Sequence, residues 1–280
     1  MLIKFTKMHG LGNDFVVIDT INQVVKLSTS QIQFMANRNL GIGCDQLLLV
    51  EASKRNGVDF NYRIFNSNGG EVEQCGNGAR CFAQYIKEHG LSDKTQFTVE
   101  TSSGLIELML LDDDTTGGLV TVNMGVPIFI PEKIPFVSDT VKDHYTILID
   151  NESHEIRVVS VGNPHAVLIV DDLDTAPVTA LGSKIELAAE FPNRVNVGFM
   201  QIVDRGNIRL RVFERSVGET QACGTGACAA VVLGIQSALL DNEVNVALTG
   251  GNLKIAWQQA DQAVMMTGTA TTVYEGQIEL

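Results

Sequence analysis

The sequence predicts a strand-rich α+β fold of two similar halves related by a pseudo-twofold axis, each half wrapped on one apolar helix. Three observations predict it. Four motifs recur in the same order at a nearly constant offset. Short β-branched and alternating runs dominate the chain. Each half holds one apolar helix placed directly after a Cys-Gly-x-Gly turn.

The repeat reads as follows. Cys75-Gly-Asn-Gly78 and Cys223-Gly-Thr-Gly226 stand 148 residues apart. Arg63-Ile-Phe-Asn66 and Arg211-Val-Phe-Glu214 share that offset. Gly12-Asn13 and Gly162-Asn163 open apolar strands 150 residues apart, as do Gln46 and Asn196, so a two-residue loop difference absorbs the change. Four motifs kept in order argue for a duplicated domain. The expected domains are 1–125, carrying Cys75, and 126–280, carrying Cys223, with the final strand able to return to the first. The junction is expected around Pro127–Asp143, which holds three of the six prolines.

Strands are expected at Phe60–Phe65, Thr95–Glu100, Leu105–Leu110, Val120–Asn123, Ile156–Val161, Ala166–Val170, Val195–Val203, Ile208–Phe213, Val244–Leu248, Leu253–Trp257 and Val264–Thr267. Helices are expected at Ser30–Asn37, capped by Ser28 or Ser30, at Ala79–His89 with Gly90 as a stop, and at Ala227–Leu240. The last is apolar nearly all round and must be buried inside a sheet.

Composition narrows the function classes. At 280 residues the chain has room for two domains, and 45% hydrophobic content fills two cores. A formal net charge of −13 disfavours nucleic acid and anionic membrane surfaces. The start, MLIKFTKMHG, is too poor in apolar residues for a signal peptide, and Ala227–Leu240 is too short to span a bilayer. Five cysteines, an odd number in a long chain, fit a reducing cytoplasmic setting better than a disulfide framework.

The two cysteine turns carry the chemistry. At a helix start the first amide N–H groups lack partners and favour an anion. The same field lowers a cysteine's pKa, so each turn is expected to offer a carboxylate nest and an activated thiol. Brought face to face by the pseudo-twofold, the turns would hold one carboxylate with a thiol on each side of the adjacent carbon. That arrangement suits two-base inversion of an amino-acid stereocentre. Alternatives are zinc held by Cys75, Cys81, Cys223 and Cys228, whose spacings are wide for a zinc site, or a phosphate, although no Walker or dinucleotide motif follows. Cys44, Cys81 and Cys228 read as packing residues, and His9, His89, His144 and His154 receive no role.

The motifs KMHGLGNDFVVID, GIGCDQLLLVE, FNSNGGEVEQCGNGARC, VGNPHAVLIV and FERSVGETQACGTGACAAVV together resemble the diaminopimelate epimerase family over nearly the whole chain. The resemblance implies two barrel-like, mostly antiparallel sheets, each around a central helix, with the active site in the cleft between them. It implies interconversion of LL- and meso-diaminopimelate, on the route to lysine and peptidoglycan, with no cofactor and no metal. Absence of pyridoxal phosphate agrees with the sequence, since no lysine lies in either turn. Another amino-acid racemase of the same fold, and a non-catalytic small-ligand module, are the competing readings.

The resemblance makes Cys75 and Cys223 the catalytic pair. It gives Gly76, Asn77, Gly224 and Thr225 to the α-carboxylate, and Asn13, Gln46, Asn66, Asn163, Asn196, Glu214 and Arg215 to the substrate. His165 and Glu214 match groups that tune the cysteine pKa values. Tyr274 matches a dimer contact, so a homodimer is expected. Arg215 is suited to a bidentate carboxylate clamp and Glu214 to an ammonium. Asn68, Gly70 and Thr269 depart from the family pattern without touching either turn.

Overall fold

The computed structural model describes residues 1–72, 75–111 and 118–280. The chain forms two compact units, Met1–Asn123 with Thr267–Leu280, and Met124–Met266.

The first unit begins with the antiparallel pair β1 (Leu2–Gly10) and β2 (Asn13–Asp19). Helix α1 (Thr29–Ala36) follows, capped by Ser28 in a capping box with Gln31. Strand β3 (Gln46–Ala52) runs parallel to β2, and β4 (Phe60–Asn66) returns antiparallel to it. A short β5 (Glu71–Val72) pairs with β4. Helix α2 (Gly76–Glu88) comes next. The strands β6 (Gln96–Thr101), β7 (Gly104–Leu111) and β8 (Leu119–Asn123) then complete an antiparallel run, with β6 parallel to β4. The C-terminal strand, Thr271–Glu279, lies antiparallel on β1.

The second unit repeats this order. An added strand, β9 (Tyr145–Ile149), precedes β10 (Glu152–Ser160) and β11 (Pro164–Ile169). Helix α3 (Val178–Glu186) stands where α1 stood. Strand β12 (Asn196–Asp204) is parallel to β11 and antiparallel to β13 (Asn207–Glu214), which pairs with β14 (Gly218–Thr220). Helix α4 (Gly224–Gln236) leads to β15 (Glu243–Leu248), parallel to β13, then β16 (Gly251–Ala256); along β17 (Met265–Thr269) the chain passes from the second unit to the first. The duplication read from four motifs thus holds strand by strand. Its Arg-x-Phe motif has a physical reason: Arg63 clamps Glu71 at 2.7 and 2.8 Å, and Arg211 clamps Glu219 at 2.7 and 3.0 Å. Each clamp ties the hairpin that delivers the cysteine turn.

Each unit is built on a buried helix. In α2, every residue from Asn77 to Ile86 is buried, with Phe82 edge-on to Tyr62 and Phe60. In α4, buried residues run from Gly226 to Gly234, as its all-round apolar sequence requires. Both helices begin three residues earlier than expected, because the Gly-x-Gly of each turn forms the first helical turn and each cysteine is the N-cap. Helix α4 also ends at Gln236, short of the expected Leu240. Ala238 adopts φ +57°, and the chain folds back so that Leu240 packs on Gly234, where a Cβ would lie 2.3 Å from Leu240 Cδ1.

Helix α3 and strand β9 were not expected. Gly182 and Ser183 inside α3 weaken its helical signal, yet Gly182 is needed there, since a Cβ would meet Phe213 Cβ at 2.7 Å. Strand β9 lies just after the proline-rich stretch expected as the junction, and its alternating burial fits the second core, with Ile147 and Ile149 packed among Phe136, Phe191 and Phe199.

Candidate active site

In the first unit, the parallel register of β2 and β3 sets Phe15 opposite Gln46, and β3 sets Gln46 opposite Asn66. Asn13, Gln46 and Asn66 therefore share one end of the sheet. Gln46 donates to Asn66 Oδ1 at 2.9 Å. Cys75 ends the connection from β5 and caps α2 by backbone alone. Its thiol donates to Asn13 Oδ1 at 3.6 Å, and Asn77 Nδ2 donates to the same oxygen at 3.4 Å. Gly76 and Asn77 occupy the first turn, where a helix N–H has no intrahelical acceptor. Gly78 must lack a side chain, since a Cβ would meet the Tyr62 hydroxyl at 2.7 Å.

Two residues that sequence reasoning missed hold this arrangement. Asp45 accepts from Asn13 Nδ2 at 2.9 Å and belongs to an ion cluster with Arg38, Asp14 and Lys7. Burial alone would raise the Asp14 carboxyl, but Arg38 and Lys7 hold it well below the usual carboxylate range. Arg80 is 0% exposed and donates to Asn77 Oδ1 at 3.0 Å and to the Thr269 carbonyl at 3.1 Å. An arginine at the start of the helix expected at Ala79–His89 was the available signal, because a buried guanidinium must be fully engaged.

In the second unit, His165 lies opposite Asn196 on the parallel pair β11–β12, and Glu214 ends β13 beside them. His165 is fully buried and donates from Nε2 to Asn163 Oδ1 at 3.0 Å, while its Nδ1 has no partner among the described residues. Burial, aided by the positive charge of Arg215, pushes its pKa down to about 3, so the ring is neutral. Asn163 Nδ2 donates to Thr225 Oγ1 at 3.3 Å, and Thr225 Oγ1 lies 3.6 Å from Cys223 Sγ. Asn196 is buried; it donates to the Pro164 carbonyl at 2.9 Å and accepts from the Arg215 N–H at 3.0 Å. Its side chain braces the backbone from which the exposed Arg215 projects. Arg215 itself donates to the Asn193 carbonyl at 3.2 Å. Gly224 opens α4, whose first turn repeats that of α2.

The expected activation of both thiols is not met at Cys223. This residue is only 4% exposed. Burial first, and the neighbouring Glu214 carboxylate second, push the thiol well above its ordinary value, although Thr225 and the nearby Gly226 N–H pull the other way. Burial likewise raises Glu214, whose carboxylate accepts from the Thr220 hydroxyl. Desolvation outweighs the helix-end field here, because that field is worth about 1 kcal/mol or less while burying a thiolate costs more. Cys44, Cys81 and Cys228 are buried packing residues, with Cys44 pushed up to about 11 and Cys81 to about 12 by burial.

The diaminopimelate epimerase family model matches residues 5–130 and 157–273, two stretches that each contain one cysteine turn. The chain is 55% identical to the diaminopimelate epimerase of Nitrosospira multiformis, covering 100% of this chain and 99% of that one. The corresponding protein of Acinetobacter baylyi is 56% identical, with 100% and 98% covered.

The chain belongs to the diaminopimelate epimerase family.

Among solved structures, a PhzF-family phenazine biosynthesis protein from Bacillus anthracis superposes with TM-score 0.72 at 18% identity, covering 100% of both chains. A hydroxyproline epimerase from Agrobacterium vitis gives TM-score 0.72 at 16% identity, covering 99% and 92%. These two share the fold with the family. Among the described residues no helix is long and apolar enough to cross a membrane.

Proposed function

We propose that this protein interconverts LL- and meso-2,6-diaminopimelate without cofactor or metal, using Cys75 and Cys223 as the acid and base. Family membership over the full chain carries the reading. The matched pair of cysteines at equivalent helix starts supports it. One cysteine, as thiolate, removes the α-proton from one face, and the other, as thiol, delivers a proton to the opposite face. First-turn amides at Gly76, Asn77, Gly224 and Thr225 hold the α-carboxylate and stabilise the charge that develops on it. The distal end of the substrate is a second amino acid. Arg215 takes its carboxylate, Glu214 its ammonium, and Asn13, Gln46, Asn66, Asn163 and Asn196 complete the receptor directly or by bracing it. Neutral His165 and Glu214 set the proton affinity of Cys223.

The protein acts in the cytoplasm as a homodimer in this reading. Its support for a dimer is the C-terminal strand, where Val273 and Tyr274 are 55% and 45% exposed. The test is direct. Purified protein, dialysed against chelator and given LL-diaminopimelate alone, should yield the meso isomer by chiral chromatography. No conversion, or equal conversion of proline, would overturn the reading.

A further inference from the structure

The repeat gives each unit an asparagine at the same place, Asn13 and Asn163, but the two carboxamides are held with opposite faces toward the cysteine turn. Asn163 presents Nδ2 to Thr225, because the Nε2–H of His165 occupies its Oδ1. Asn13 presents Oδ1 to Cys75 and Asn77, because the carboxylate of Asp45 occupies its Nδ2 at 2.9 Å. A carboxylate only accepts hydrogen bonds, so the amide NH₂ of Asn13 must be the group that faces Asp45. The fold does not impose this difference. At the matched positions of the second unit, Val195 stands for Asp45 and His165 for Phe15.

We propose that Asp45 is a positioning residue: it fixes the Asn13 carboxamide with Oδ1 toward Cys75, so that the sulfur meets an acceptor and is held as the protonated thiol. The consequence for catalysis rests on the epimerase reading above, in which Cys75 must be a thiol whenever it delivers the proton. A thiolate in the same place would face a carbonyl lone pair. To take the Asn13 NH₂ as a donor it would need Asn13 to rotate end for end, breaking the charge-assisted bond to Asp45. The second restraint on Asn13, from Asn77 Nδ2, is weaker at 3.4 Å, and Arg80 fixes the sense of that amide by donating to Asn77 Oδ1.

Asp45 is itself anchored. Its Oδ1 accepts from Arg38 at 2.8 Å and its Oδ2 also accepts from the Asp14 N–H at 3.1 Å. Titratable groups that feel Cys75 include Tyr62 of β4, whose hydroxyl donates to the Cys75 carbonyl at 3.4 Å, and Cys81 of α2, with Arg80 beside Cys81. Beyond Asn13 lie Asp14, Arg38 and Lys7. All of these remain when Asp45 is replaced.

The test reads Cys75 without substrate. The full-length protein is alkylated with iodoacetamide across pH, and the Cys75 peptide is followed by mass spectrometry. Asp45→Ala frees Asn13 to turn its NH₂ to the thiolate, so the alkylation midpoint should fall by about one pH unit, roughly tenfold faster labelling on the acid side. Asp45→Asn loses the charge but keeps an oxygen that accepts from Asn13, and should stay near the wild-type midpoint. In an Asn13→Ala background, Asp45→Ala should have no further effect. An unchanged midpoint in Asp45→Ala would overturn the proposal, whether or not the melting temperature moves. An equal fall in Asp45→Asn would overturn it in favour of plain charge, and a fall persisting without Asn13 would show an effect on Cys75 by another route. None of these outcomes depends on turnover of diaminopimelate, so the proposal can fail while the epimerase reading stands, and the reverse.

Discussion

Replacing His165 with phenylalanine, the residue its counterpart position holds at Phe15, should flatten the acid limb of the second unit's stability. The neutral imidazole is fully buried and its pKa is pushed down to about 3 from 6.5. The unfolded chain therefore binds a proton that the native ring refuses between those values. The stability at stake is fully present above about pH 6.5 and is lost as pH falls toward about 3. At about 1.36 kcal/mol per unit, lowering pH to 5 costs the native state about 2 kcal/mol through this group alone. His165→Phe removes that cost. It also removes the bond to Asn163, about 1 kcal/mol at any pH, while relieving a buried Nδ1 that has no partner among the described residues. The assay is at hand, since the chain's single tryptophan, Trp257, is buried in the second unit. Urea unfolding followed by its fluorescence at pH 7.5 and pH 5 should show the wild type losing about 2 kcal/mol more than the variant. Equal losses would refute the claim that His165 is buried neutral.

Cys81→Ala and Cys228→Ala should each lower stability by about 1 kcal/mol while leaving the turnover of folded protein intact, because both side chains are fully buried on the central helices; loss of turnover in stable protein would contradict their packing role. Gly226→Ala should reduce kcat more than it raises KM. The added methyl meets Val212 Cγ2 at 2.9 Å and crowds Cys223 Sγ at 3.3 Å, costing about 1–3 kcal/mol and displacing the sulfur; steady-state kinetics with unchanged kcat would show that the turn tolerates the shift. Arg215→Lys should weaken diaminopimelate binding by about 1.5–3 kcal/mol, since an ammonium cannot make the paired guanidinium bonds; calorimetric affinity equal to wild type would remove Arg215 from the receptor.

Much of this was legible in the sequence for particular reasons. The cysteine turns were readable because the last glycine of each is forced by steric contact, Gly78 against Tyr62 and Gly226 against Val212. The repeat was readable because the Arg63–Glu71 and Arg211–Glu219 clamps need fixed spacing before each turn. What stayed hidden depends on tertiary environment. Helix α3 carries a glycine that only its packing on Phe213 explains. Asp45 and Arg80 act through long-range partners, and no local pattern links Asp45 to Asn13 or Arg80 to the carbonyl of Thr269. The proton affinity of Cys223 was misread because its position at a helix start is local information, while its burial beside Glu214 is not.

Isotope incorporation distinguishes two sulfurs that each serve one face of the reacting carbon from a single base that shuttles between faces. LL-diaminopimelate is incubated with the enzyme in deuterated water, and substrate and product are separated at low conversion for mass analysis, with Cys75→Ala and Cys223→Ala run in parallel. With two sulfurs, meso product should carry solvent deuterium while recovered LL substrate carries none, and each alanine variant should lose epimerisation by more than the ~10²–10⁴-fold typical of general acid–base catalysis. Deuterium appearing equally in substrate and product, or an alanine variant that keeps a tenth of wild-type turnover, would contradict it.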